Sequence, residues 1–410
     1  MEIIEIFENE KIILNSEDVL ELSKILNSDN KLPITLEENT LCFADYIIGE
    51  IKFGNKIIRI KPRHNYLTLS HYFEMLLYIE GLNTNNLKSD SFAFSNNQFG
   101  INGLIENFIT VTKELVDFGI SGSYVPSYKS TFNPVGRIDF KNFSIKQLPI
   151  SGVNVYYENY DYNNDANKLL KSALIKVIEI FNSNSKETIE LDNILSFFNK
   201  VDIMNFELDS FKINSLEKFY SSNIYYDVAI QFAIKIILDL KFVYSEKLNL
   251  NWSTFLVNSN IIFEKYIFTL LNNNLKNNVS KFNKPVNFAQ FEINNIVGEK
   301  SYNPDIIIDY SEGRARGVFD CKNKYFTLSK NNLSDLVNVS DIYQLLFYSQ
   351  QLNSDICGLI YPTDMDIENI ELNIKGSNSR FFLITINMTD CIEQRNKKLL
   401  NSLNKCLIHS

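Results

Sequence analysis

The chain has 410 residues, 45% of them hydrophobic and 22% charged. That is a globular balance, long enough for two or three domains, and it excludes a wholly disordered protein. Only 14 Gly and 8 Pro exclude collagen-like and low-complexity classes, and a net charge of -9 argues against a protein that grips nucleic acid unaided.

The first forty residues mix a short apolar alternation (Ile3, Ile4, Ile6) with a helical pattern at Leu20, Leu22, Ile25 and Leu26. The acidic start, Met1-Glu2-Ile3-Ile4-Glu5, does not resemble a signal peptide. No apolar run reaches the ~18–20 residues needed to cross a bilayer. A cytoplasmic protein without membrane contact is expected. Tyr46 to Phe53 and Lys56 to Lys61 alternate around Gly54-Asn55, the pattern of a β-hairpin, and Pro62 ends its second strand. Helical spacing marks His71–Ile79, Ile105–Phe118, Asn167–Phe181 and Ile224–Leu240. After about residue 250 the pattern changes. A helix is predicted over Val257–Leu271 and strands over Phe288–Ile293, Asp305–Asp309 and Gly317–Lys322. A helix over Val339–Gln351 follows, then strands at Cys357–Tyr361 and Phe381–Ile386, and a closing helix over Cys391–Leu407. That order is an α/β layout.

Five widely spaced Cys and three His fit neither a disulfide framework nor a zinc ribbon nor a His-based triad. No phosphate-binding glycine loop is present, so the chain itself is expected to bind no nucleotide. Carboxylates, Lys and hard cations are left to carry any chemistry. They gather in one stretch. Asp305 follows Pro304 and opens the run Ile306-Ile307-Ile308; Asp320 and Lys322 stand two apart near the end of Gly317–Lys322. Residues i and i+2 of a strand share a face, so Asp320 and Lys322 point one way and Cys321 the other, toward packing. If the strands pair, Asp305 joins them. Two carboxylates suit Mg²⁺ or Mn²⁺, which take oxygen ligands and activate water, and an ammonium orients that water. Glu264, on the preceding helix, is a third acid whose alternative is an ordinary exposed position. Gln344 and Tyr348, four apart on the following helix, share a face. Tyr348 also reads as a core aromatic, whereas a buried Gln344 needs partners. Arg59 to His64 suits either a phosphate contact or a charged strand edge. Arg137 suits an ion pair with an acid such as Asp139 better than a contact with a partner's nucleotide site, and Trp252 a packing role at a domain junction better than a base-stacking platform.

Pro304-Asp305 with Asp320-x-Lys322 resembles the PD-(D/E)xK nuclease pattern, and Gln344-x-x-x-Tyr348 its RecB-like extension. The likeness is wider. Ile48-Gly49-Glu50-Ile51, Ile57 to Pro62, Val135-Gly136-Arg137-Ile138-Asp139-Phe140, Asn167 to Leu174 and Gly358-Leu359-Ile360-Tyr361-Pro362 occur in the order of the McrC family. The resemblance implies a multidomain chain: an α+β N-terminal and middle region, then an α/β PD-(D/E)xK, restriction-endonuclease-like nuclease domain. Its expected segments are a β-rich partner-docking domain at 1–125, a mainly helical region at 126–250 and the nuclease at 251–410. The implied function is the DNA endonuclease subunit of a McrBC-like phage-defence restriction complex. Asp305, Asp320 and Glu264 would bind the metal, with Lys322, Gln344 and Tyr348 completing the site. The implied partners are double-stranded DNA, modified or not, and a McrB-like AAA+ GTPase or ATPase that this chain stimulates. Residues 251–410 hold 16 Lys and Arg against 16 Asp and Glu, so a partner supplying DNA affinity suits the charge. Two alternatives stay open: a non-catalytic assembly or activator subunit of the ring, and a standalone metal-dependent nuclease.

Overall fold

The computed structural model describes residues 2–28, 33–64, 66–81, 100–143, 145, 150, 152–180, 186–204, 223, 225–237, 254–293, 296–324, 326 and 337–408. Trp252 lies outside them. The architecture is mixed α and β, with several sheets and, among the described residues, nine α-helices. No helix among them is long and apolar enough to cross a membrane.

Contacts divide the chain into two compact units. One gathers Met1–Gly81 with Val243–Ser410; the other is mainly Ile101–Phe242. The three consecutive segments expected from the sequence divide the chain differently. The reason is a single strand. In the first unit β1 (Glu2–Phe7), β2 (Ile47–Phe53) and β3 (Lys56–Lys61) precede helix α1 (Leu69–Ile79), and β4 (Thr254–Asn258) follows far along the chain. Their sheet runs β1-β3-β2-β4, so β4 brings the C-terminal half onto the N-terminal sheet. The β2–β3 turn falls at Gly54 with φ +51°, the left-handed region that favours glycine. At Gly49 (φ +136°) a Cβ would stand 1.9 Å from the Phe255 carbonyl oxygen, so only glycine lets β4 close on β2. Leu22, Leu41, Ile51, Phe53, Ile58, Ile60 and Leu256 form the core beneath.

Helix α2 (Ser259–Asn274) leads from β4 into β5 (Val279–Ser280), β6 (Ile306–Ile308), β7 (Gly317–Cys321), α3 (Val339–Gln351), β8 (Ile356–Thr363), β9 (Ile370–Leu372), β10 (Arg380–Asn387) and α4 (Ile392–Ile408). The sheet order is β5-β6-β7-β8-β10-β9. β7, β8 and β10 are parallel neighbours. The central β8 is buried at every position, as a parallel strand covered on both faces must be. Leu345 on α3 packs with Cys357, Leu359, Tyr361, Phe381 and Leu383 of the sheet.

The second unit holds more helix than strand among its described residues, and a sheet besides. After the helix Gly100–Phe118 it carries a three-stranded sheet, Ser123–Thr131, Val153–Asp161 and Arg137–Ile138, followed by the helices Asp165–Ile180, Lys186–Ser196 and Tyr225–Ile237. The long strands escape a period-2 search because both faces are wet: most of their positions are exposed, aromatic and polar alike.

Candidate nuclease site

The site grows from the pairing of β6 with β7. These strands are antiparallel with Ile306 opposite Phe319. One step further along the same register sets Asp305 opposite Asp320, and opposed residues share a face. The Cys321 main-chain N–H donates to Asp305 Oδ2 at 2.8 Å, which fixes that carboxyl. Asp320 is only 3% exposed. Lys322 leaves the strand end, where its own N–H donates to the Ile360 carbonyl at 2.9 Å.

Helix α3 supplies the opposite wall. The Lys322 ammonium stands 2.6 Å from Asp320 Oδ2 and 3.6 Å from Asp341. It donates to Gln344 Oε1 at 2.8 Å, and Gln344 Nε2 donates to the Tyr348 hydroxyl at 2.7 Å. Gln344 thus has the partners a half-buried amide needs, and Tyr348 is both core aromatic and hydrogen-bond acceptor. Five expected residues, Asp305, Asp320, Lys322, Gln344 and Tyr348, are therefore linked. Glu264, on α2, flanks them with its carboxylate ion-paired to Lys281. Its charge is nevertheless felt at both aspartates.

Asp341 and Lys324 escaped the sequence reading. Asp341 is 4% exposed and accepts from Lys324 Nζ at 2.9 and 3.0 Å and from the Tyr361 hydroxyl at 3.3 Å. The signal was available: positions 341, 344 and 348 fall on one helix face. Lys281 carried no local signal. The Cys321 residue is half-buried. Its thiol is pushed well up, by burial first and then by Asp305, Asp320 and Glu264, so it is inert.

The electrostatics are those of crowded acids. Asp305 is pushed up to about 8, by burial first, then by the charges of Asp320 and Glu264. Burial also raises Asp320, against the pull of Lys322. Burial alone would lower Lys322; Asp320, then Asp341 and Asp305, reverse this and hold it above its ordinary value. Lys322 is an ammonium at neutral pH, a donor and not a proton acceptor. Although Lys322 is close, Asp320 Oδ2 has no well-aligned hydrogen-bond donor among the described residues; the pair is a charge contact. Lys322 already meets Asp320, whereas burial, Asp320 and Glu264 oppose the charge of Asp305, so a cation is favoured there, and the donors are hard oxygens. They fit Mg²⁺ or Mn²⁺. Among the described residues no three acidic, His or Cys side chains are grouped to enclose an ion. A cation here would keep waters or a phosphate oxygen, as Mg²⁺ commonly does.

A cavity of about 660 Å³ contains none of these residues. Two of its cations are ion-paired, Lys398 with Asp366 and Asp390 and Arg380 with Glu371.

The sequence pattern of the family described as McrBC 5-methylcytosine restriction system component matches residues 43–362. Comparison with curated proteins finds no match. Among solved structures, the chain is similar to one in the refined half-complex from the tetradecameric assembly of Thermococcus gammatolerans McrB AAA+ hexamers with bound McrC. Identity is 15%, coverage 98% of this chain and 99% of that one, and the TM-score 0.57, a likeness of fold. A chain of the cryo-EM structure of the Thermococcus gammatolerans McrBC complex is 16% identical over 66% of this chain and 87% of its own, with a TM-score of 0.43.

Proposed function

The chain belongs to the McrBC 5-methylcytosine restriction system component family, as its motifs implied, and on that ground we propose that it is the McrC-type nuclease subunit of such a system. The observation that carries this reading is the linked set Asp305, Asp320, Lys322 and Gln344 at the end of β6 and β7. The reaction is hydrolysis of a DNA phosphodiester. A water oxygen bonds to phosphorus, the bond to the leaving oxygen breaks, and the water's protons end on solvent and the leaving group. Mg²⁺ or Mn²⁺, held by Asp305 and Asp320 with Glu264 on the flank, would neutralise phosphate charge and acidify the attacking water. Lys322 orients that water by donating to it and offsets charge developing on the phosphate. Gln344, braced by Tyr348, sets the Lys322 ammonium in place.

The second half of the proposal is an AAA+ nucleotide-hydrolysing partner, which this chain binds and stimulates. Its support is the sheet of Ser123–Thr131, Val153–Asp161 and Arg137–Ile138. Around the connections between its strands Phe132, Val135, Phe140, Ile145 and Ile150 are exposed, the last by 80%. Apolar surface gathered in this way marks a protein-binding site.

The test uses the complex reconstituted with its partner and a DNA substrate. Asp320→Ala and Lys322→Ala are expected to abolish cleavage and leave the partner's nucleotide hydrolysis stimulated. Cleavage at the wild-type rate by either variant refutes the nuclease assignment; loss of stimulation by both would favour a pure activator role.

A further inference from the structure

Lys322 sits on a turn whose geometry is set by residues far away in the chain. Immediately after β7 the chain reverses, with the Lys324 N–H donating to the Lys322 carbonyl at 2.8 Å. The residue at the apex is Asn323. Its side-chain oxygen accepts from the Tyr72 hydroxyl at 3.0 Å, across 251 positions of sequence. Tyr72 is on α1 and 1% exposed. The Asn323 main chain also acts on the His64 ring, just upstream of α1. The Tyr66 hydroxyl donates to the Pro362 carbonyl at 3.1 Å, near the end of the neighbouring β8.

The same phenol reaches the other flank of the site. Ser259, fully buried, starts helix α2, which carries Glu264. Its hydroxyl interacts with Tyr72 and donates to Glu8 Oε2 at 3.3 Å. Glu8 follows β1, is 6% exposed, and accepts from the Arg63 N–H at 3.4 Å. Glu8, Ser259 and Tyr72, all buried, and the half-buried Asn323 thus form a polar chain running from the N-terminal sheet to the two elements that bear Lys322 and Glu264. Buried polar groups are costly unless mutually satisfied, so such a chain holds its members in one geometry.

We propose that Tyr72 is a positioning residue for the nuclease centre, acting through Asn323 to set the turn that aims the Lys322 ammonium. The proposal rests on the nuclease reading and deepens it by naming a residue, remote in sequence, that positions the site. Tyr72 touches neither substrate nor metal. Removing its hydroxyl leaves the ring packed and the partner-binding surface intact, but frees the turn. A displacement of about 1 Å at a reacting group can lower a rate 10²-fold.

The experiment compares Tyr72→Phe, Asn323→Ala, their double variant and Lys322→Ala in the complex with its AAA+ partner. It measures kcat and KM for DNA cleavage, nucleotide hydrolysed per cut, and urea unfolding of the full chain. Each single variant is expected to lower kcat roughly 10- to 100-fold with KM unchanged. Nucleotide hydrolysis should stay at the wild-type rate, so that nucleotide consumed per cut rises by the same factor. The double variant should be no slower than the slower single, because both remove one interaction. Asn323 lies on a half-buried turn, so Asn323→Ala decides the matter even if Tyr72→Phe unfolds. Wild-type kcat in Asn323→Ala beside an inactive Lys322→Ala overturns the clamp and leaves the nuclease reading standing. Additive losses in the double variant overturn it as well. An active Lys322→Ala refutes the nuclease reading itself.

Discussion

Asp305 keeps its proton up to about pH 8 because burial, then Asp320 and Glu264, oppose its charge. A divalent cation bound by this carboxyl must expel that proton. Cation binding at pH 7 is therefore predicted to release about one proton per ion and to tighten as the pH rises toward 8. Calorimetry in two buffers of different ionisation enthalpy measures this; identical heats in both would contradict it, and Asp305→Asn should remove the difference. His71 moves the other way. Burial first, and then the Arg395 charge, lower it from 6.5 to about 4. The fold holds it neutral while the unfolded chain takes up a proton, so its contribution is whole above about 6.5 and is lost as the pH falls toward 4. The urea midpoint should drop over that window, and His71→Asn, which keeps an acceptor for the Thr68 N–H, should drop less.

At the scale of elements, the closest tolerance lies between β2 and β4. Gly49→Ala would drive a methyl into the Phe255 carbonyl at 1.9 Å from a backbone with φ +136°. A loss of at least ~2 kcal/mol in urea unfolding is expected. Gly81 has φ +73° but nothing within 4 Å, so Gly81→Ala should cost only about 1–2 kcal/mol of backbone strain. Equal losses would show that the β2–β4 approach is not limiting. Local elements were the most legible part of this protein. The β2–β3 hairpin announced itself through alternation around Gly54, and helix α3 was read at Val339–Gln351 from its spacing, where the structure adds Asn338 as its cap. Strands Ser123–Thr131 and Val153–Asp161 were not legible, since a ribbon wet on both faces has no apolar period to read.

At the scale of the whole molecule, β4 makes the C-terminal half dependent on the N-terminal sheet. A fragment of residues 254–410 leaves that strand without its neighbour and Arg395, fully buried, without Glu74, its ion-pair partner at 2.6 Å on α1. An unpaired buried charge typically costs 3–5 kcal/mol. The fragment is expected to show poor amide dispersion and a melting temperature well below that of the full chain; a native-like spectrum would refute this. The exposed apolar residues of the middle unit make a separate prediction. Phe140→Ser with Ile150→Ser should weaken partner stimulation at least ~10-fold while the urea midpoint stays put, because both side chains are already in water. A coincident loss of stability would assign them to packing instead.

Residue types and spacing alone narrowed the chemistry expected of this protein: with few His and no glycine loop, they pointed to hard-cation and carboxylate chemistry at Asp305, Asp320 and Lys322, the site proposed above. Side-chain periodicity is a local property, so it also placed most helices and strands. Only the tertiary structure decided that Asp341 anchors Lys322, that Lys281 engages Glu264, and that Tyr72 reaches Asn323. The last of these contacts joins residues 251 positions apart, and nothing in either neighbourhood encodes a partner that distant, because its place is set by how whole sheets close on one another.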